Sequence, residues 1–348
     1  MTDMWQYLKL QTSPIVMYGT GNGADKIFAV LDKLGIEISD IFASDGFVRS
    51  RTFHGKKVIS YSDALKKYGK DMIILLAFGS DLPSVTERFF ALSQIHELYA
   101  PDVPVVGEEL FDRGFYELHK EKISEARELL YDEESRKVFD SIINYRLSGK
   151  IEYLAEHTCF FDDIAKEILH PESYLYTLDL GAYTGDTALE LLDYAPNIKK
   201  VIAIEPDTKN FTKLSLNTAL SGKVEPHLAA AWNKRDVLLF SKGGGRAVKH
   251  SNNGKTVEVR AATADSFLEG RIPNFIKIDV EGAEKEAIEG CRDSIKNYSP
   301  ELQVALYHRS ADIFELPVLI NRLNKDYKLY IRRYPSVPAW DINLFAVR

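Results

Sequence analysis

The sequence contains very little cysteine. Its 348 residues include only two, Cys159 and Cys291, and neither has a companion at metal-ligand spacing. Two isolated thiols provide neither the disulfide framework of a small secreted domain nor the ligands of a structural zinc site. The composition therefore argues against both classes and predicts a protein of a reducing compartment, the cytoplasm.

A basic cluster and a long apolar run are missing as well. The 44 Lys and Arg residues are interspersed with 51 Asp and Glu residues, and the formal net charge is −7. Nucleic-acid surfaces concentrate positive charge, so no nucleic acid is expected as a partner. The strongest apolar run, 72–78, has the length of a strand, whereas a membrane-spanning helix needs about 20 apolar residues. No membrane partner is expected either.

The order of apolar runs and turns predicts an α/β protein in three parts. Residues 1–107 alternate strands and helices, which is typical of a small parallel sheet. Residues 108–170 are charged and helical in pattern, with a helix starting at Asp132, and are interpreted as a connector. Residues 171–348 form a second α/β unit that ends in an antiparallel pair. The predicted strands are 14–18, 38–44, 72–78 and 96–99 in the first unit, and 175–180, 201–205, 223–227, 275–279, 302–307, 327–334 and 341–348 in the second.

A glycine run interrupts the second unit between Val237 and Ala261, where the sequence predicts a hairpin extension. The three glycines at 243–245 are interpreted as a turn rather than as a lid over substrate. Basic residues beside them are candidates for contact with an anionic acceptor: Arg246, Lys249 and His250.

Three segments of the second unit each join an apolar run to a carboxylate and a turn. They are 178–186 (LDLGAYTGD), 204–207 (IEPD) and 276–284 (IKIDVEGAE). Ligands of open α/β sheets bind beyond the carboxyl ends of the strands, so these acids are expected to meet in one crevice. Glycines in the first turn allow a ligand to approach the backbone, and Glu205 can accept both hydroxyl protons of a ribose. The turn lacks the lysine of a P-loop, which leaves NAD or S-adenosylmethionine as the nucleoside.

Together with 300–308 (PELQVALYH), these segments resemble the successive motifs of FkbM-type S-adenosylmethionine-dependent methyltransferases. The resemblance covers about half of the chain, from residue 173 to the C-terminus. It implies a class I (Rossmann-like, seven-stranded) methyltransferase domain, preceded here by a smaller Rossmann-like α/β domain and the helical connector. It also implies O-methylation in glycan, lipid or natural-product pathways.

Transferred to matching positions, the resemblance implies a set of cofactor contacts. The motif turn contributes its acid, its glycines and their neighbours, the next strand end contributes the ribose acid, and the segment 228–232 lies on the adenine side. One departure is Tyr183, which replaces the middle glycine of the general methyltransferase turn and is interpreted as a lid on the cofactor. The predicted cofactor residues are Asp179, Gly181, Ala182, Tyr183, Gly185, Asp186, Glu205, Pro206, Ala230 and Asp279.

Methyl transfer to a hydroxyl also requires removal of a proton, and the candidate bases are Asp279, Glu281 and His308. His308 is favoured because an imidazole titrates near neutrality, with Asp279 orienting substrate or cofactor. Two carboxylates and an imidazole can also hold a divalent cation. Chemistry without a metal is favoured, since spacing alone does not define a metal site.

The first unit has a glycine motif of its own, 19–24 (GTGNGA), in the form of a dinucleotide fingerprint. Its candidate nucleotide contacts are Gly19, Gly21, Gly23 and Asp45. The segment also resembles the small domain that precedes sugar-modifying enzymes, where a sugar nucleotide is bound. One alternative is an NAD-dependent oxidoreductase, although no second catalytic constellation accompanies the motif; another is a turn that binds nothing.

The sequence therefore predicts a cytoplasmic S-adenosylmethionine-dependent methyltransferase. Its expected acceptor is a hydroxyl on a sugar, a glycan or a related small molecule, including a sugar nucleotide. A non-catalytic sensor of S-adenosylmethionine or a nucleotide is the competing class. A homodimer is compatible with the sequence.

Overall fold

A computed structural model describes residues 3–49, 51–241 and 256–348. Within the first unit, the described residues form a six-stranded sheet in the order β3-β4-β2-β1-β5-β6. Its elements are α1 (Met4–Lys9), β1 (Ile15–Tyr18), α2 (Asn22–Leu34), β2 (Asp40–Ala43), β3 (Thr52–Phe53), β4 (Lys56–Ser60), α3 (Tyr61–Tyr68), β5 (Ile73–Leu76), α4 (Pro83–Ser93) and β6 (Glu97–Tyr99).

The four strands predicted in this unit are confirmed as β1, β2, β5 and β6, which pair in parallel. Helix α2 buries Ala24, Ile27, Phe28 and Leu31, so the predicted apolar face is also confirmed. The β3–β4 hairpin was not predicted. Its strands are short and polar and lack the apolar run on which a strand prediction depends.

The charged segment after the first unit is helical, as predicted. It contains α5 (Arg113–Glu128), α6 (Glu133–Ser148) and α7 (Phe161–Glu167). Asp132 caps α6 by accepting a hydrogen bond from the Ser135 N–H at 2.8 Å. The segment packs against the second sheet, because Ser135 Oγ accepts a hydrogen bond from the Ile331 N–H and Arg146 donates to the Ser310 carbonyl.

The second unit contains a seven-stranded sheet. Its elements are β7 (Tyr176–Leu180), α8 (Asp186–Tyr194), β8 (Lys200–Glu205), α9 (Thr208–Thr218), β9 (Val224–Leu228), β10 (Ala230–Ala231), β11 (Asp236–Ser241), β12 (Thr256–Ala262), α10 (Ala264–Phe267), β13 (Phe275–Ile278), α11 (Glu284–Gly290), α12 (Arg292–Tyr298), β14 (Glu301–Ala305), α13 (Asp312–Leu323), β15 (Lys328–Arg333) and β16 (Ile342–Val347). Across the described ranges the strand order is β15-β16-β14-β13-β7-β8-β9.

The order of these strands decides where a ligand can bind. All of them run parallel except β16, which is antiparallel to both of its neighbours, so the predicted terminal pair is confirmed. The chain proceeds from β7 to β8 and β9 on one side and later places β13 on the other side of β7. This reversal is a topological switch point, where the loops after neighbouring strands diverge and leave a crevice.

A smaller sheet flanks this unit. Strand β12 pairs antiparallel with β11 and parallel with β10, in agreement with the predicted hairpin. The predicted glycine turn at 243–245 and its neighbours Arg246, Lys249 and His250 lie outside the described residues. In the part of the chain that is described, no helix is both long and apolar enough to cross a membrane.

Candidate active site

The glycine turn after β7 lies at the switch point. The N–H groups of Gly181 and Ala182 both donate to the Ile204 carbonyl, at 2.9 and 3.0 Å, which joins the turn to β8. Gly181 has a φ of +84°, and a Cβ atom there would lie 1.9 Å from the Asp279 carbonyl oxygen. Only glycine satisfies both constraints, so the turn is pressed against the end of β13.

Replacing Gly181 with alanine is expected to lower the free energy of unfolding by about 3 kcal/mol or more, because the positive φ and the overpacking both oppose a Cβ atom. Gly222 is the matched control: its φ is +62°, but a Cβ atom would have nothing within 4 Å. Gly222→Ala should cost only about 1–2 kcal/mol. Urea denaturation of both variants measures the difference, and equal losses would show that the close approach at Gly181 has no consequence.

Glu205 is the second element of the site, at the end of β8. Its side chain is buried, and its two oxygens accept hydrogen bonds from the N–H groups of Tyr183 (2.9 Å) and Asp207 (2.8 Å). Burial raises the pKa of Glu205, and these backbone hydrogen bonds act in the opposite direction. A carboxylate oxygen has more than one acceptor position, so Glu205 is fixed beside the glycine turn and still able to accept from a ligand.

Asp179, the acid before the turn, is committed to protein contacts. It accepts a hydrogen bond from Thr187 Oγ1 at 2.7 Å and lies 3.5 Å from Lys277 Nζ, which is also 4.0 Å from Asp279. Burial lowers the pKa of Lys277, but the neighbouring carboxylates outweigh it and the pKa is raised. Asp179 therefore fixes the start of α8 and pairs with the partly buried ammonium group of Lys277.

Sequence reasoning missed Lys277. It belongs to an apolar strand, yet it is two residues before Asp279 and so lies on the same side of β13. That alternation is the signal that could have identified it.

The remaining predicted cofactor residues surround the turn. Tyr183 has a φ of +47° and is half exposed, so its ring is available to cover a ligand. Gly185 (φ +86°) is the N-cap residue of α8 and offers no side-chain cap to the first turn, where Asp186 is the first helical residue. Pro206 follows β8, and Ala230 is buried in β10 opposite Ala261.

Beyond β13 lies a cluster of three carboxylates around one imidazole. His308 is fully buried, with Nε2 3.0 Å from Glu281 Oε2 and 3.6 Å from Asp279 Oδ1, and with Nδ1 2.9 Å from Glu284 Oε1. Despite these ion-pair distances, neither ring nitrogen makes a hydrogen bond of regular geometry within the described residues. The structure thus brings together the three predicted catalytic residues and adds Glu284.

This arrangement argues against His308 as the general base. Burial lowers the pKa of His308, but the neighbouring Glu281 and Glu284 carboxylates outweigh burial and raise it to about 10. An imidazole with such a pKa is already protonated at neutral pH, and a fully buried ring does not touch an acceptor. The carboxylates of Asp279 and Glu281, about 30% and 24% exposed, are the groups of the cluster that reach the surface.

Glu284 was not predicted as a site residue because its place in α11 suggests an ordinary helix start. In the structure it is 1% exposed, and its Oε1 accepts hydrogen bonds from the N–H groups of Val280 (3.0 Å) and Gly282 (3.1 Å). Both donors lie in the turn around Glu281, whose φ is +63°. The turn therefore folds back over Glu284, and the carboxylates of Glu281 and Glu284 both contact the His308 ring.

A cavity of about 480 Å³ adjoins this turn, where the first unit and the connector meet the second unit. Its wall includes Val106 and Gly107 from the end of the first unit, and Gly282, Lys285 and Arg309 from the second. The Val106 N–H donates to the His308 carbonyl at 2.9 Å. The first unit therefore contacts the His308 end of the site directly.

The N-terminal glycine motif adopts the predicted turn but uses its acid differently. Gly19 and Gly21 have φ values of +107° and +127°, and a Cβ atom on Gly23 would lie 2.8 Å from the Ala77 carbonyl oxygen. The Asp45 carboxylate accepts hydrogen bonds from the Ser62 N–H (3.1 Å) and hydroxyl (2.5 Å). Asp45 therefore contacts the first turn of α3, an interaction that the sequence does not predict.

We expect NADH fluorescence to stay unchanged when the protein is added, because no second catalytic constellation accompanies the glycine motif and a ribose would have to share the Asp45 carboxylate with both Ser62 donors. The measurement is a fluorescence titration of NADH at increasing protein concentration. A saturable change that Asp45→Ala abolishes would contradict this expectation and restore the oxidoreductase alternative.

The second unit has the fold of the Rossmann-like class I methyltransferases. A family model described as methyltransferase FkbM domain matches residues 179–329, so the C-terminal part of this chain is similar to that family. No curated protein sequence matches the chain.

The chain is similar to several solved structures. Methyltransferase FkbM from Methylobacillus flagellatus is 18% identical, with 97% of this chain and 90% of that chain covered and a TM-score of 0.70. A fibrillarin from Aeropyrum pernix, solved with bound S-adenosyl-L-methionine, is 12% identical over 53% of this chain and 71% of that chain, with a TM-score of 0.35.

Proposed function

We propose that this methyltransferase uses S-adenosylmethionine to methylate a hydroxyl group of a small polar acceptor, a sugar or glycan among the candidates. The observation that carries the proposal is the position of Glu205, a buried carboxylate fixed beside an open glycine turn at the switch point. Members of the family generally use S-adenosylmethionine.

The residues of this crevice fit the cofactor chemically. Glu205 can accept hydrogen bonds from both ribose hydroxyls, and the uncapped first turn of α8 can donate to the carboxylate of the methionine part. The turn at Gly181 keeps the backbone free of a side chain, and the half-exposed Tyr183 can cover the ligand. When bound, S-adenosylmethionine supplies a sulfonium methyl group that an acceptor oxygen can take.

On the acceptor side, we assign proton removal to Asp279. Its backbone carbonyl contacts the glycine turn, its carboxylate is about 30% exposed, and His308 lies beneath it. A positioned base contributes roughly 10²–10⁴-fold to such a reaction, while alignment of the reactants supplies much of the remainder. The adjoining cavity, with Lys285, Arg309 and several carboxylates in its wall, suits a polar acceptor.

The first test is a calorimetric titration of the purified protein with S-adenosylmethionine and with S-adenosylhomocysteine. We expect saturable binding of both at one site per chain. If neither binds, the cofactor assignment fails. If both bind but no acceptor from a panel of sugars, glycans and sugar nucleotides is methylated, the sensor alternative gains support.

A further inference from the structure

Buried polar atoms without hydrogen bonds gather at the acceptor end of the site. Among the described residues they include Asp279 Oδ1, Glu284 Oε2 and both ring nitrogens of His308. The side chains of Glu284 and His308 are 1% and 0% exposed. Buried polar atoms in folded proteins nearly always make hydrogen bonds. Here, in the described part of the chain, the His308 nitrogens have only ion-pair contacts without hydrogen-bond geometry, and Glu284 Oε2 has no hydrogen bond, so the group can take a further ligand.

Three side chains of this group lie close together. One oxygen of Asp279, one oxygen of Glu284 and one ring nitrogen of His308 all lie within 4.8 Å of one another. Ligands bound about 2.1 Å from a single octahedral ion lie roughly 3–4 Å apart, so small side-chain shifts would bring all three onto one cation. Two carboxylates and an imidazole suit Mn²⁺, and the carboxylates also suit Mg²⁺.

The charge of the cluster leads to the same conclusion. Three carboxylates, from Asp279, Glu281 and Glu284, surround one imidazole, and the nearby Lys277 is shared with Asp179. A divalent cation would displace the proton from the ring nitrogen of His308 that coordinates it, and would thereby replace one positive charge in this cluster with two. Buried charge that is not compensated is costly, so such a cation would relieve the excess of negative charge.

The surroundings are built to orient these ligands. The N–H groups of Val280 and Gly282 hold Glu284 Oε1, which leaves Oε2 without a hydrogen bond. Hydrogen bonds of this kind orient the side chains that coordinate the metal in many metal sites. The Asp279 side chain is about 30% exposed, so the cluster borders on solvent at this residue.

We propose that Asp279, Glu284 and His308 bind a divalent cation of the Mn²⁺ or Mg²⁺ class at the acceptor end of the site. This inference departs from the metal-free chemistry that the sequence favours. A cation here would lower the pKa of a hydroxyl coordinated to it. That role in catalysis rests on the proposed function, whereas cation binding itself does not.

The test is a titration of the full-length, chelator-treated protein with Mn²⁺, followed by calorimetry and by the electron paramagnetic resonance signal of free Mn²⁺. We expect one bound Mn²⁺ per chain, displaced by excess Mg²⁺. Binding should weaken at least about tenfold in Asp279→Asn and in Glu284→Gln, since even loss of an outer-sphere partner typically costs 10–100-fold. Glu289→Gln is the control, because Glu289 also lies in α11 but pairs with Asn233 outside the cluster.

Absence of one-to-one binding of Mn²⁺ and Mg²⁺ up to low-millimolar concentrations would overturn the inference, and so would equal affinity in wild type and Asp279→Asn. If Glu284→Gln does not fold, the cation affinity of Asp279→Asn alone tests the inference. Asp279 is partly exposed, so this substitution is expected to leave the fold intact. The same metal-free protein is then titrated with S-adenosylmethionine. If the protein binds S-adenosylmethionine but no cation, this inference is wrong and the proposed function stands. If it binds a cation but no S-adenosylmethionine, the proposed function is wrong and this inference stands.

Discussion

Glu205→Ala is expected to weaken S-adenosylmethionine binding by at least roughly 10²-fold. The carboxylate can accept hydrogen bonds from both ribose hydroxyls, and each hydrogen bond to a charged group contributes about 1.5–3 kcal/mol. Loss of two such bonds therefore exceeds about 3 kcal/mol, which corresponds to two or more decades in the dissociation constant. Calorimetry of the variant against wild type measures the change.

The alanine variant also leaves the N–H groups of Tyr183 and Asp207 without their acceptor, which is expected to lower its stability. A control in the same turn must separate this loss of stability from the loss of cofactor affinity. Asp207→Ala provides it. Asp207 caps α9 through the N–H groups of Lys209 and Asn210 and takes no part in the proposed pocket. We expect this variant to lose about 1 kcal/mol of stability and to keep its cofactor affinity. Similar affinities in wild type and Glu205→Ala would refute the proposed ribose contact.

The convergence of the acids could be predicted because it follows from sheet geometry. Carboxyl ends of parallel strands meet at one edge, so Asp179, Glu205 and Asp279 had to lie near one another once β7, β8 and β13 were recognised as neighbours. Alternation of apolar residues identifies such strands even without knowledge of their partners.

The depth of His308 could not be predicted in the same way. Its burial depends on two segments that are distant in sequence: the turn at 280–284, which folds back on Glu284, and the loop at Val106, whose N–H reaches the His308 carbonyl. A sequence pattern indicates that an imidazole follows a strand but not what packs over it. For the same reason, the pKa expected from an isolated imidazole did not transfer to this site.

Asp45 illustrates a similar limit. Its position after β2 matches that of a ribose-binding acid, and the glycine turn before it has the expected backbone. Its partner, Ser62, lies 17 residues further along the chain at the start of α3. An Asp that contacts the first turn of a distant helix and an Asp that binds a ribose can occupy the same place in a sequence pattern, so the pattern does not reveal the contact with Ser62.

The second large effect is expected at Asp279, where Asp279→Asn should lower kcat by roughly 10²–10⁴-fold once an acceptor is known. Asparagine keeps the size of the side chain but neither accepts the hydroxyl proton nor carries the negative charge. The affinity for S-adenosylmethionine should change little, because Asp179 remains as a partner for Lys277 and Glu205 is untouched. Steady-state kinetics together with the calorimetric dissociation constant separate the two effects.

Glu289→Gln, outside the cluster, should keep both values and serves as the control. A near-normal kcat in Asp279→Asn would move proton removal to Glu281 or to solvent. Repeating the kinetics in saturating Mn²⁺ distinguishes the two roles that Asp279 can have. Turnover restored by the cation would mean that Asp279 acts only by helping to bind it. A loss that persists when the site is filled would mean that the carboxylate itself accepts the proton.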